Sequence, residues 1–316
     1  MFVKLDQDVV ELLCCPLCKS NLAHDADHFL CISCGLVFPS IEILVGRNIR
    51  ERVCDFRIHR PAYCVPDGQI LWGDVQREFE TCHDRSAHGD ALQLYLDEID
   101  SVREIYREEF HIGGSILDVG GHQGRLRHFL DSDVSLYVSI DPFINVFDDV
   151  ADQKSLIEAY PCLTTPCNFI AAQAEYLPFR SKVFDWIHMR SVVDHLSDPY
   201  QALIEAFRCC KTGGHILIGL AIMEKLQSCS REEGNVPLTS KIVSKLKRDG
   251  VAAFLDAVKR KVSRKDDHMV RLSYNQLLDL LDKSGWQLVK EHWQKPPYSY
   301  CIYVSAAARS VTPRSN

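Results

Sequence analysis

A short apolar strand that runs directly into a glycine-rich turn constrains the fold of this chain more than any other feature. Residues 116–124 read ILDVGGHQG, and a helix-like segment, residues 125–130, follows at once. Glycine permits a tight strand-to-helix turn and lets a ligand approach the bare backbone. A second strand, residues 136–140, ends at Asp141, whose carboxylate can accept hydrogen bonds from both ribose hydroxyls. Because the turn lacks Gly-Lys-Ser/Thr, it is not a triphosphate-binding loop.

Strands and helices alternate along the rest of this region. The expected later strands cover residues 168–172, 184–189, 215–220, 286–293 and 298–305. Asp198 and Pro199 provide an N-cap and a first-turn proline for one helix, and Ser273 caps another. Alternation of this length predicts a parallel, doubly wound α/β sheet.

Six short pieces of sequence occur in an order and spacing that match a known family. They cover residues 117–120, 140–141, 174–179, 184–185, 193–199 and 211–214. With them, residues 115–223 and 267–305 resemble class I S-adenosylmethionine-dependent methyltransferases, nearest to the ubiquinone/menaquinone-biosynthesis methyltransferase-like group. The resemblance implies a Rossmann-like, seven-stranded α/β sheet with S-adenosyl-L-methionine as the cofactor.

The resemblance also implies which residues bind that cofactor. They are Asp118, Gly120, Gly121, Gly124, Asp141, Gln173, Ala174, Glu175, Met189 and Arg190. Two positions depart from the family pattern, since His122 stands where these loops usually carry glycine and Gln173 where an aspartate often contacts the adenine amine. The amide oxygen of Gln173 can accept the same hydrogen bond. These departures motivate one alternative, a methyltransferase-like binding protein without catalysis.

The methyl acceptor and any catalytic base are less defined. Methyl transfer is an in-line displacement, so that holding the acceptor in line supplies much of the acceleration. A base is needed only if the acceptor must lose a proton, and His195 and His268 are the candidates by residue type. A structural role is the favoured alternative for His195. Residues 189–192 lack the Asn/Asp-Pro-Pro-Tyr/Phe motif, which disfavours adenine amines and glutamine amides as acceptors.

Four cysteines form the second strong motif. Cys15 and Cys18 make one Cys-x-x-Cys pair, and Cys31 and Cys34 make a second after twelve intervening residues. Four thiolates at this spacing suit a closed tetrahedral Zn²⁺ site. Residues 1–13 are charged and lack a secretory apolar core, which favours a metal site over disulfides.

Residues 10–45 resemble the small zinc ribbon of methyltransferase activator proteins and the ribbon fused ahead of a ribosomal-RNA guanine methyltransferase. A closed four-cysteine site has no open position for substrate, so we expect it to serve structure or recognition. The chain then divides into a zinc ribbon (1–48), a helical connector covering the cofactor cleft (49–112) and a methyltransferase domain (113–308).

A basic helical insertion is expected at residues 225–266 of that domain. Between 241 and 265 it carries nine basic residues against two aspartates. This charge favours either an insertion that faces an anionic substrate or a solvated helix face. The formal net charge of −7 argues against a polyanion as the main partner.

The leading hypothesis is methyl transfer (EC 2.1.1.-) to a small-molecule or carrier-linked substrate. An anionic substrate is one version of this hypothesis. The alternative from another class of substrate is a ribosomal- or transfer-RNA methyltransferase that uses the ribbon and the insertion to bind nucleic acid. Scattered cysteines and the lack of a membrane-spanning apolar run predict a cytoplasmic protein. The sequence leaves the oligomeric state open.

Overall fold

The computed structural model describes residues 1–25, 27–58, 91–148, 150–222, 270–296 and 298–309. Within these ranges, twelve strands join in one sheet. They are β1 (Val3–Lys4), β2 (Leu22–His24), β3 (His28–Cys31), β4 (Val37–Gly46), β5 (Ile49–Asp55), β6 (Gly114–Val119), β7 (Val134–Asp141), β8 (Cys167–Ala171), β9 (Phe184–Arg190), β10 (Cys210–Ala221), β11 (Trp286–Trp293) and β12 (Cys301–Ala308).

The order of these strands explains where a ligand can bind. It is β11-β12-β10-β9-β6-β7-β8-β5-β4-β3-β2, and β1 also pairs with β8. Strands β10, β9, β6, β7 and β8 are parallel neighbours, whereas β12 is antiparallel to β10 and β11. Chain order reverses beside β6, which lies between β9 and β7, and open α/β sheets bind ligands at the carboxyl ends of strands at such a reversal. The predicted mixed α/β class is confirmed.

Five α-helices accompany the sheet in the described ranges: α1 (Gln7–Glu11), α2 (Ala91–Glu104), α3 (Lys154–Ala159), α4 (Pro199–Cys209) and α5 (Tyr274–Lys283). The two predicted N-caps are confirmed. The Asp198 side chain accepts a hydrogen bond from the Gln201 amide at 3.0 Å, and Ser273 forms a reciprocal capping box with Gln276. No helix in the described part of the chain is long and apolar enough to cross a membrane.

Two hydrophobic clusters cover the two faces of the sheet. On one face, α2 packs through Tyr95, Ile99 and Val102 into the cluster that contains Ile116 and Leu217. On the other face, α4 and α5 contribute Leu203, Ala206, Leu277 and Leu281, together with Trp286. Helix α2 therefore covers one face of the sheet, and α4 and α5 cover the other.

The ribbon region continues the central sheet. Strand β5 pairs with β8 in parallel, with Cys54 opposite Ile170 and Asp55 opposite Ala171. The expected boundary at residue 48 falls in the turn between β4 and β5, which form one antiparallel hairpin. Phe56 stacks on Phe38 with ring centroids 4.9 Å apart, within the same core cluster as residues of β6 and β9.

Some predicted elements take a different form or lie outside the description. The segment after the glycine turn is a single 3₁₀ turn, Arg125–His128, in place of the helix-like segment expected over 125–130. The connector expected to be helical over residues 49–112 begins with strand β5, and its first described helix is α2. Residues 59–90, the insertion at 225–266 and His268 lie outside the described residues.

Candidate cofactor site and metal centre

The glycine turn folds back across the carboxyl ends of β6 and β7. Gly120 has a φ of 66°, and the amides of Gly120 and Gly121 donate to the Ile140 carbonyl oxygen at 2.8 and 3.2 Å. A Cβ added to Gly121 would lie 2.6 Å from the carboxylate carbon of Asp118. Glycine is therefore required at this position by the close approach of the turn to the strand beneath it.

His122 adopts the left-handed backbone conformation, with a φ of 48°. This conformation is unfavourable for a residue with a Cβ, and two contacts to β7 hold it. The His122 amide donates to Oδ2 of Asp141 at 3.3 Å, and its carbonyl oxygen accepts from the Ser139 hydroxyl at 3.0 Å. Desolvation, assisted by Arg125, lowers the pKa of His122 to about 4, so that the imidazole is neutral at pH 7.

Asp141 lies at the end of β7, directly beside the turn. Its Oδ1 accepts from the Phe143 amide at 2.9 Å, and its Oδ2 accepts from the His122 amide. The structure thus brings together two elements that the sequence analysis predicted separately. An ionised carboxylate only accepts hydrogen bonds, and vicinal hydroxyls are donors of the kind that it accepts.

The side chain of Asp118 does not face the cleft. Its side chain is buried beneath Gly121, and both carboxylate oxygens accept hydrogen bonds from the protein. Oδ1 contacts Nδ1 of His188 at 2.7 Å, and Oδ2 accepts from the hydroxyl of Tyr137. Direct contact between Asp118 and a ligand stays a prediction, whereas the observed contacts support the turn from below.

The segment after β8 carries three predicted cofactor residues. The Gln173 amide oxygen accepts from the Ile58 amide at 3.0 Å, so the oxygen assigned to an adenine contact already has a protein donor. Ala174 is buried. Glu175 Oε1 accepts from the amide and hydroxyl of Ser197 at 3.1 and 2.9 Å, which ties this segment to the start of α4. Their contacts with a cofactor stay predictions.

Sequence reasoning missed the residues that follow β5. The Arg57 guanidinium donates to both oxygens of Asp55 at 2.8 and 2.7 Å and to the Pro142 carbonyl oxygen at 3.0 Å. These contacts place residues 55–58 beside Asp141 and Gln173. No local motif indicates this arrangement, because it depends on the parallel pairing of β5 with β8.

The end of β9 lies beside α2. Met189 is fully buried, while Arg190 is half-buried, with its guanidinium 3.9 Å from Oε1 of Glu98 on α2. His195 lies in a 3₁₀ turn (Val193–His195) with Nε2 4.0 Å from Oδ1 of Asp194. The role of His195 as a base stays a prediction, as does that of His268.

The four predicted metal ligands converge in the ribbon. The sulfur atoms of Cys15, Cys18, Cys31 and Cys34 all lie within 4.8 Å of one another. Sulfur separations are 3.6 Å for Cys15–Cys34 and 3.4 Å for Cys18–Cys31. Tetrahedral Zn²⁺ with bonds of about 2.3 Å needs sulfurs roughly 3.8 Å apart, so the donor set fits this ion.

The first Cys-x-x-Cys turn is anchored to the main sheet by Lys19. This residue has a φ of 60°, matching Gly35 at 72° in the second turn. Its Nζ donates to the Pro16 carbonyl oxygen at 2.6 Å and pairs at 2.5 Å with Glu205, which is buried on α4. Glu205 also pairs with Arg208, whose guanidinium donates to the carbonyl oxygens of Leu177 and Phe179. The metal centre is thus connected to the segment that follows Glu175.

Comparison with known proteins gives one family match. Residues 117–218 match the family described as "Methyltransferase domain". This match supports a methyltransferase domain over these residues and leaves the methyl acceptor undetermined. No curated protein sequence matches the chain.

Three similar solved structures are remote in sequence. A Pyrococcus horikoshii protein is 15% identical, with a TM-score of 0.47, and the alignment covers 75% of this chain and 99% of that one. An Aquifex aeolicus S-adenosylmethionine-dependent methyltransferase is 15% identical, with a TM-score of 0.42 and coverage of 69% and 98%. A complex of the Haloferax volcanii Trm112 methyltransferase activator with a candidate methyltransferase gives 14% identity, a TM-score of 0.41 and coverage of 77% and 97%.

Proposed function

We propose that this protein transfers a methyl group from S-adenosyl-L-methionine to a small or carrier-linked metabolite. The observation that carries the proposal is the meeting of the glycine turn with Asp141 at the chain-order reversal, inside the segment that matches the methyltransferase family. We assign β6 to β12 to the seven-stranded sheet of class I methyltransferases, in which such a turn binds the nucleoside.

The residues of the turn have separate tasks in this proposal. Asp141 accepts the ribose hydroxyls, and its contacts with Phe143 and His122 keep the carboxylate oriented before binding. Gly120 and Gly121 let the turn lie directly against Val192 and Asp118, where a Cβ would clash, and the turn presents its backbone to the ligand. Asp118 holds the turn from below. The bound cofactor supplies an electrophilic methyl group.

The acceptor side of the cleft is formed by α2 and the end of β9. Arg190, which is a predicted cofactor residue, lies there with its guanidinium 3.9 Å from Oε1 of Glu98. In-line transfer needs the acceptor held against the methyl group, and exclusion of water by α2 serves the same end. His195 takes a proton only if the acceptor must lose one.

We further propose that Cys15, Cys18, Cys31 and Cys34 bind one Zn²⁺. Four thiolates leave the ion without an open coordination position, so its role is to hold the ribbon in shape. Ribbon and sheet share strands and core, and the metal therefore supports the wall formed by residues 55–58.

The test is calorimetric titration with S-adenosylmethionine of the parent and of Asp141→Ala. The substitution removes a charge-assisted contact, and a loss of about 1.5–3 kcal/mol in binding free energy is expected. Asp133→Ala is the matched control, because it removes an exposed carboxylate just before the opposite end of β7. Equal affinities for Asp141→Ala and the parent would place the nucleoside elsewhere, and no binding by the parent would contradict the proposal.

A second measurement addresses the acceptor. Purified protein is incubated with methyl-labelled S-adenosylmethionine and either a small-metabolite fraction or total RNA. Label in a small or carrier-linked product is expected. Label confined to RNA would favour the nucleic-acid alternative, and cofactor binding without label transfer to either fraction would favour the non-catalytic one.

A further inference from the structure

Four buried side chains form a continuous hydrogen-bonded chain beneath the cleft. The hydroxyl of Tyr137 donates to Asp118, whose other oxygen lies 2.7 Å from Nδ1 of His188. Nε2 of His188 lies 2.8 Å from the hydroxyl of Tyr106. The relative exposure of these residues ranges from 2% for Asp118 to 9% for Tyr137, so water does not compete for the contacts. This row of hydrogen bonds links β7, β6 and β9 and ends next to α2.

For an ionised Asp118 and a neutral His188, the chemistry of the groups fixes the direction of each hydrogen bond. An ionised carboxylate only accepts, so His188 must carry a proton on Nδ1. In a neutral imidazole, Nε2 is then an acceptor and Tyr106 must donate to it. The Asp118 contact therefore selects one tautomer of His188, and that tautomer needs the hydroxyl of Tyr106.

One end of the chain belongs to the wall of the cleft. Tyr106 lies in a π-helical turn, Ile105–Glu109, that directly follows α2. Such turns occur frequently at functional sites. The Tyr106 ring contacts those of Phe129 and Tyr303 at centroid distances of 5.0 and 6.3 Å, which fixes its hydroxyl toward His188.

The other end of the chain lies under the glycine turn. A Cβ on Gly121 would meet both the Asp118 carboxylate, at 2.6 Å, and the Ser139 hydroxyl, at 2.5 Å. There is thus no free space between the backbone of the turn and the carboxylate. A change in the orientation of Asp118 must move the turn.

We propose that Tyr106 and His188 are positioning residues that couple the docking of α2 to the shape of the turn at residues 120–124. This inference rests on the proposed function, because cofactor affinity is what the coupling controls. Without the Tyr106 hydroxyl, Nε2 of His188 has no donor among the described residues, and the tautomer that orients Asp118 loses its support. Coupling between two sites is reciprocal, so cofactor binding must also stabilise the turn at residues 105–109.

The test compares Tyr106→Phe, His188→Asn and their combination by calorimetry with S-adenosylmethionine. Asparagine places an amide donor near the Nδ1 position, so it can retain the contact with Asp118 while losing the contact with Tyr106. Each single variant is expected to bind about tenfold more weakly than the parent. The double variant is expected to show about the same loss as each single variant, because both substitutions remove the same hydrogen bond between Tyr106 and His188. Tyr274→Phe is the control, since its hydroxyl donates to Glu291 on the edge strand β11.

Hydrogen exchange provides a readout that a purely structural role would not change. In the parent, cofactor is expected to slow amide exchange at residues 105–109, and this effect should disappear in Tyr106→Phe. Affinities of Tyr106→Phe and His188→Asn within about twofold of the parent would overturn the coupling while leaving the proposed function intact. Absence of cofactor-induced protection in the parent would overturn it even if a variant fails to fold. Failure of the parent to bind would overturn both.

Discussion

The proposed metal centre and the proposed cofactor cleft are assembled in opposite ways. The four clustered cysteines come from two four-residue motifs within a single stretch of twenty residues, 15–34. The cleft takes side chains from the ends of β6, β7 and β9, from α2 and from residues 55–58. A local motif thus defines the first site almost completely, whereas the second exists only once distant strands have paired.

The two regions nevertheless share one core. Cys15, Cys31 and Phe38 belong to the hydrophobic cluster that also contains Leu177 and Phe179. The Cys14 amide donates to the Pro178 carbonyl oxygen at 2.9 Å, and the Arg180 amide donates to that of Leu12 at 2.8 Å. Loss of a metal ligand should therefore also weaken cofactor binding.

The largest effect is expected for Cys31→Ser. Loss of a ligand should abolish stoichiometric zinc and cost more than about 4 kcal/mol in the free energy of unfolding, because metal binding contributes directly to folding. Because the core is shared, cofactor affinity should fall as well. Metal analysis, urea unfolding and calorimetry measure the three quantities. Cys162→Ser, at a half-buried cysteine outside the metal set, is the control. Loss of zinc with unchanged cofactor affinity would make the ribbon an independent unit.

A smaller effect is expected for Lys19→Met. The substitution keeps most of the side-chain volume but removes the ion pair with buried Glu205, which then has only Arg208 as a charged partner among its observed contacts. We expect a loss of about 1–2 kcal/mol in stability and a weaker cofactor affinity with zinc fully retained. Lys4→Met, at the half-exposed pair with Asp6, should cost less. Equal losses of stability and of cofactor affinity in Lys19→Met and Lys4→Met would show that the ion pair of Lys19 with Glu205 does not couple the ribbon to cofactor binding.

The smallest expected effect concerns the pH dependence due to His122. Its folded pKa of about 4 lies below the ordinary value of 6.5, so the unfolded chain binds the proton more readily. His122 is partly exposed, so stability should fall by only about 1 kcal/mol as pH decreases from 6.5 to 4. His122→Asn tolerates the left-handed backbone and does not titrate, so its stability should fall less over this interval.

Urea unfolding at several pH values between 4 and 7 measures that difference. His111→Asn, at an exposed histidine, controls for the loss of one imidazole. Parallel stability profiles for the parent and His122→Asn would show that the imidazole of His122 is solvated, and that the turn is more open than the structure indicates.

Prediction from the sequence succeeded where the signal is local. The caps of α4 and α5 involve residues three positions apart, and short segments rich in apolar residues predict β6, β7 and β9. The metal set follows from cysteine spacing. The single 3₁₀ turn after Gly124 was not predicted, because the turn is tied to β7 by contacts that no local pattern contains.

The sequence by itself determined the alternation of strands and helices, the glycine turn and the four cysteines, because each depends on neighbouring residues. Tertiary structure alone decided that Asp118 faces His188 and Tyr137, that Ile58 donates to Gln173 and that Lys19 reaches Glu205. Separations of 19 to 186 residues lie between these partners. Such contacts depend on strand register and helix packing, and a buried polar group accepts whichever partner the assembled core places within hydrogen-bonding distance.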